Sequence, residues 1–154
     1  MVGRRMVSTE LPQSSVFFRA AEKYEDDIEQ TMACQLFFLA LILKADDYGR
    51  GKIIFKVLRA KAFVTIPELM LRYSDDKNME WLRLYEDDKA IEIYTDEARA
   101  GTDTEAQLYY RLCNWQYYQR GNWRPRASRI PPSPQERDGK VWRDKDKKEG
   151  KDGK

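Results

Sequence analysis

Between Asn114 and Pro134 the chain runs NWQYYQRGNWRPRASRIPPSP, with four aromatic rings, four arginines and no acid. Trp115, Tyr117, Tyr118 and Trp123 offer flat faces on which bases stack. Arg120, Arg124, Arg126 and Arg129 offer planar forks that fit phosphate oxygens. Pro125 and the IPPSP run favour an extended backbone, suited to lying along a groove. The same residues have a plainer use. Trp115 and Tyr117 can close a core where strands end, leaving the Arg/Pro part as a linker, and for Trp115 the core is the favoured reading.

Charge separates this stretch from what precedes it. Residues 1–110 hold 15 Lys/Arg and 20 Asp/Glu, whereas residues 111–154 hold 13 and 6, and no acid stands between 106 and 135. The net charge of +2 conceals that split. One-signed clustering of this kind points to a polyanionic partner. Secondary cationic candidates are Lys52, Lys56 and Arg59, which share one face at helical spacing, and Arg99 and Arg111 beside a polar loop. Each is also compatible with a plain solvated surface.

Other chemistry finds little purchase. The chain has no histidine, which removes Ser-His and Cys-His pairs, and two cysteines alone do not make the usual zinc sites. Cys34 and Cys113 sit among apolar residues and read as buried small hydrophobes in a reducing compartment. Asp46 and Asp47 in ADDYGR lack the further acids of a calcium loop and read as a helix end turned by Gly49. No glycine-rich phosphate loop and no catalytic constellation emerges, so neither an enzyme nor a cofactor is expected. The longest apolar run, LFFLALIL at 36–43, falls far short of the roughly 20 residues of a membrane span, and no targeting signal stands out. A cytoplasmic protein is expected.

Several elements must position these residues. VFFRAAEKYEDDIEQ predicts a short helix with Phe17, Phe18 and Tyr24 turned inward. The segment from Thr31 to Lys44, starting at Thr31 or just before it, is apolar nearly all round and predicts a central core helix. GKIIFKVLRAKAF at 51–63 predicts an amphipathic helix, although Ile53 and Ile54 could end a short strand. TIPELMLRY predicts one or two helical turns, and residues 75–90 a helix with Met79, Trp81, Leu82 and Tyr85 inward and Glu80, Arg83, Glu86 and Asp87 outward. Two alternating runs follow, with Ile91 and Ile93, then Leu108, Tyr110 and Leu112, on one face. They predict a β-hairpin with a long polar tip.

The expected fold is mainly α with a β-hairpin: a winged helix-turn-helix, then an extended Pro/Arg segment and a disordered charged tail. The expected divisions are 1–30, an opening segment and short helix; 31–115, the winged-helix domain; 116–136, the Arg/Pro-rich extended segment; and 137–154, the disordered tail. The helix before a wing is the usual major-groove reader, but here its acidic outer face moves any DNA contact to the wing and the strip, or makes that face a protein interface.

The core helix ending in ADDYGRGKI, the later YEDDKAIEIY and the exit CNWQYYQRGNWRPRASRIPPSP resemble phage-type replication initiation proteins, the replisome organisers with a DnaD-like N-terminal winged-helix domain. The matching positions are Asp46, Asp47, Gly49, Asn114, Trp115, Arg120, Arg124, Pro125, Ser128, Ile130 and Pro131. The resemblance covers about residues 3–134. It implies DNA binding and self-assembly in phage or prophage DNA replication, without enzymatic activity. The partners that follow are single- or double-stranded DNA, a replicative helicase or loader, and further copies of the chain. The alternative is a non-enzymatic adaptor that oligomerises or docks a replication partner without touching DNA.

Overall fold

The computed structural model describes residues 15–96, 107–113, 115 and 129–137. In chain order the elements are α1 (Ser15–Lys23), α2 (Ile28–Lys44), β1 (Arg50–Lys52), α3 (Phe55–Ala62), α4 (Glu68–Arg72), α5 (Asp75–Asp87), β2 (Ile91–Thr95), β3 (Leu108–Leu112) and α6 (Pro134–Arg137). The chain is mainly helical with a small three-stranded antiparallel sheet of order β1-β3-β2, an arrangement compatible with a winged-helix-like fold.

Helix α2 begins at Ile28 because Asp27 caps it, its carboxylate accepting from the Gln30 N–H at 2.9 Å. Seven of its residues are buried, including Phe37, Phe38 and Leu41, and α1, α3 and α5 supply what packs around them. Trp81 of α5 meets Phe37 edge-on at 5.4 Å and Tyr73 at 5.0 Å, while Tyr85 meets Phe38 at 5.0 Å. Such edge-to-face pairs add to the area term of burial. The expectation of an all-round buried α2 needs correction: Met32 is 48% and Leu43 37% exposed. Phe18, expected inward, is also exposed, since Phe17 takes the inward position on α1 and packs on Phe38.

The stretch expected as one helix over 51–63 divides in two. Arg50–Lys52 forms β1, and the helix starts only at Phe55. The turn before it is made by Asp46, whose carboxylate accepts from the Tyr48 and Arg50 N–H groups, and by Gly49 at φ +79°. Trp115 lies over that glycine, where a Cβ would meet its ring carbons at 2.8 Å. Gly51 is constrained for another reason. Tyr110 of β3 stands directly across from it, lays its ring over β1 and donates to the Leu41 carbonyl of α2 at 2.6 Å. A Cβ at Gly51 would sit 2.4 Å from that ring.

The hairpin holds as expected: β2 and β3 pair antiparallel, with Ile93 opposite Tyr110 and Ile91 opposite Leu112. Strand side chains alternate faces. Tyr110, Leu112, Ile91 and Ile93 therefore face the helices, while Arg50, Lys52, Glu92, Tyr94, Tyr109 and Arg111 share the outer face. The polar tip, 97–106, lies outside the described residues, as do the charged tail and most of the Arg/Pro segment.

Helix α5 ends in a paired-carbonyl cap. The Ala90 N–H bonds the Tyr85 carbonyl, and the Lys89 N–H bonds the Glu86 carbonyl. This cap places Lys89 at φ 61°, a left-handed position where glycine is the default. Replacing Lys89 with glycine is expected to stabilise the domain by about 0.5–1 kcal/mol, against roughly 1–2 kcal/mol for the left-handed strain itself. Thermal unfolding should show a rise of about 2–4 °C. A fall would mean that the lysine side chain holds the cap together.

Candidate functional site

Of the ten cationic or aromatic candidates, Arg99, Arg120, Trp123, Arg124 and Arg126 lie outside the described residues. Arg129 is exposed at the far end of the strip. Lys52 ends β1 and Lys56 sits in the first turn of α3, both exposed. They belong to different elements and are not one helical stripe. Arg59, the third member of that group, turns back onto α5. Its guanidinium donates to Asp75 and, at 2.6 Å, to Asn78.

Arg111 requires a correction. It was expected to reach outward as a wing residue, and it is 4% exposed. The cause is the chain beyond the strip, which returns across the outer face of the sheet. Ile130–Ser133 runs over β3, and Pro134–Arg137 forms the single turn α6 where an extended segment was expected. Arg111 Nε donates to Ser133 Oγ at 3.0 Å and to Glu92 at 3.1 Å, and its Nη2 donates to Gln135 at 2.9 Å. Arg50, directly opposite Arg111, makes a two-pronged pair with Glu136 at 3.0 and 2.7 Å. Tyr94 Oη donates to the Pro131 carbonyl at 2.6 Å.

Sequence reasoning missed Glu136, although two signals were present. It is the first acid after the acid-free run. It also completes the pattern Ser133-Pro134-Gln135-Glu136, a reciprocal cap with proline in the first helical position. The structure shows that cap: the Ser133 N–H donates to Glu136 at 2.8 Å, and the Glu136 N–H donates to Ser133 Oγ at 3.3 Å. The resulting arrangement is a buried ionic clasp of two arginines and two glutamates, charge-balanced overall. Burial pushes the Glu136 carboxyl up. The Arg50 hydrogen bond, the Ser133 N–H and the fields of Arg50 and Arg111 together outweigh burial and hold it below its ordinary 4.5.

Other expected assignments hold. Trp115 is buried and donates Nε1 to the Asp47 carbonyl at 3.0 Å, as a core-closing residue does. Both cysteines are free, Cys34 buried as expected but Cys113 only half-buried, and burial pushes the Cys34 thiol up to about 12, so it is not a thiolate at neutral pH. The acids of α5 are largely spoken for. Glu80 accepts from Tyr24 and from Lys77 at 3.2 Å, and the Tyr24 bond holds its carboxyl low. Glu86 pairs with Arg83 at 2.8 Å. Asp87 remains exposed, as does Asp76.

No cluster of three or more His, Cys, Asp or Glu among the described residues is placed to hold a metal ion. No helix among them is long and apolar enough to cross a membrane. Compared with protein-family models, curated proteins and solved structures, the chain matches none.

Because Glu136 ionises more easily in the folded chain, its contribution is complete above about pH 4.5 and is lost as pH falls through its lower folded-state value. Differential scanning calorimetry of the wild type and Glu136→Gln from pH 6 to pH 3 tests this. The wild-type midpoint should fall more steeply through the acid range, and parallel curves would show that the carboxylate is not held by Arg50.

Proposed function

We propose that the chain is a DNA-binding protein of winged-helix type that acts in phage or prophage DNA replication initiation, in the manner of a replisome organiser. The observation that carries the reading is the acid-free run from 106 to 135, with its arginines and tryptophans, set beside a domain that is otherwise net acidic. The helical domain with its antiparallel hairpin supports the reading, since it fits the scaffold on which such a strip would be mounted. Trp115, buried against Gly49, fixes the start of the strip, and exposed Arg129 stands at its end. Phosphate contact is assigned to Arg120, Arg124, Arg126 and Arg129, with stacking by Trp123. Among the secondary candidates, exposed Lys52 and Lys56 suit a phosphate contact, while Arg59 is already paired and Arg111 is buried. Replication itself rests on the resemblance carried by ADDYGRGKI and the strip.

Fluorescence anisotropy with labelled single- and double-stranded DNA over a series of salt concentrations tests DNA binding. Each phosphate neutralised contributes a slope of about −0.9 on duplex and about −0.7 on single strands in log K against log salt. The wild type should give a slope of roughly −3 or steeper on duplex. Alanine at the four strip arginines should remove most of it, leaving no more than the share of Lys52 and Lys56, about −1.8 on duplex. Unchanged affinity in that variant would sink the assignment.

One observation favours the adaptor reading. Ile28 and Met32 are one turn apart on α2, both exposed, and Leu71 on α4 is 94% exposed. Exposed apolar side chains grouped in this way suit self-association. Light scattering after size exclusion at micromolar concentration should then show an oligomer that Ile28→Glu/Met32→Glu converts to monomer. A monomeric wild type would remove the self-assembly form of that reading.

A further inference from the structure

We propose that the outer face of the three-stranded sheet is itself a binding site for single-stranded nucleic acid, closed in this structure by residues 129–137 with Glu136 occupying the place of a phosphate. The side chains that form the site stand on the sheet and not in the strip, although the covering segment begins at the strip's last arginine, Arg129.

The face has two rows. The first runs Arg50, Arg111, Glu92 across the three strands, and the second runs Lys52, Tyr109, Tyr94. Three cations and one acid are thus set beside two tyrosine rings, which stack at 5.6 Å with 30° between their planes. Guanidiniums that fork around oxygen pairs, next to flat rings, are what single strands need: the forks take phosphates and the rings take bases of any sequence. A sheet displaying two or three such rings recurs as a platform for single strands.

What covers the face imitates the ligand. The two carboxylate oxygens of Glu136 meet Arg50 Nε and Nη2 at 3.0 and 2.7 Å, the parallel pair that a phosphate makes equally well. The same carboxylate lies 3.9 Å from Arg111 Nε. Ser133 Oγ and the Gln135 amide oxygen accept from Arg111 Nε and Nη2, as ribose or base acceptors would.

The cover is fastened by polar contacts. None of residues 129–137 belongs to the hydrophobic core cluster, whose last member in sequence is Trp115. Buried ion pairs return little net stability once their desolvation is counted. Removal of the strap returns the arginines to water and leaves the core intact, so a polyanion that satisfies both guanidiniums competes on favourable terms. While the face is covered, the opposed arginines hold an anion between them, and its source is open to exchange.

The test measures anisotropy of a labelled oligothymidine on five full-length proteins that already carry Arg120→Ala, Arg124→Ala and Arg126→Ala: this background alone, and with Glu136→Ala, Glu25→Ala, Glu136→Ala/Arg111→Gln or Ser133→Ala added. The background removes three of the strip's four arginines and is common to every protein compared, so failure of the proposed function and failure of this inference are read separately. Glu25 is exposed on the far side of α1 in sequence and makes the same change of net charge. Glu136→Ala should tighten binding on the order of tenfold, the scale of one stacked base. Its salt slope should steepen by about 1.4 for two added phosphates on a single strand. Glu25→Ala should change neither, and Arg111→Gln should cancel the gain. Ser133→Ala removes the cap of α6 and one partner of Arg111 without altering charge, and should shift affinity the same way by a smaller factor. It also serves if Glu136→Ala loses its circular dichroism spectrum. Equal affinity in Glu136→Ala and Glu25→Ala, or a Ser133→Ala protein no tighter than the background, overturns the proposal and leaves the clasp a structural fastening only.

Discussion

Two guanidiniums face each other across adjacent strands, Arg50 on β1 and Arg111 on β3. Like charges directly opposite on one sheet face repel, and here both are also largely withdrawn from water. With the face covered, the two guanidiniums are balanced by carboxylates that enter with them. Glu92 on β2 supplies one charge from within the sheet, beside Arg111. The other comes from Glu136, across the whole of the acid-free run. The strip is therefore bracketed by two fixed points, Trp115 packed on the Gly49 turn and the capped turn Ser133–Glu136 on the sheet. Charge balance at the sheet links the chain beyond the strip to the folded domain.

The two faces of the same small sheet obey different rules. On the inner face, shape governs: Tyr110 crosses β1 only because residue 51 has no side chain, and its hydroxyl finds the Leu41 carbonyl on α2. A buried phenol left without an acceptor would forfeit the desolvation of its hydroxyl, so the ring position and the hydrogen bond are fixed together. On the outer face, charge governs. A single strand of three residues serves both, with Gly51 inward and Arg50 and Lys52 outward.

The helices were legible where periodicity was strong. The α5 core positions Trp81, Leu82 and Tyr85 and the α2 run follow from spacing, and the Asp46–Gly49 turn follows from its residue types. The hairpin followed from alternation and the inward set Ile91, Ile93, Tyr110 and Leu112. Strand β1 was legible only as the alternative of a short strand ending at Ile53 and Ile54, because Arg-Gly-Lys lacks β-branched residues and borrows its strand character from β3. Phe18 was misplaced because only Phe17 of the pair on α1 turns onto Phe38, which leaves Phe18 60% exposed. The clasp was invisible for a different reason. Its partners Arg50 and Glu136 are joined by tertiary contact alone, and only the local cap pattern at Ser133 marked the place where the chain turns back.

A cation in the sequence is not yet a phosphate contact. Among the described candidates, Arg59 spends its charge on Asp75 and Arg111 on Glu92, so neither adds a long-range field. Lys52, Lys56 and Arg129 keep theirs at the surface. At physiological salt such a field decays over about 8 Å, so only cations close to one another act together on a polyanion. Arg129 begins the segment that covers the sheet, and Lys52 sits in the second row of the covered face, beside Tyr109. Arg129 and Lys52 thus border the clasp. A polyanion drawn to them would arrive beside Glu136, where its own phosphates and that carboxylate compete for the same two arginines.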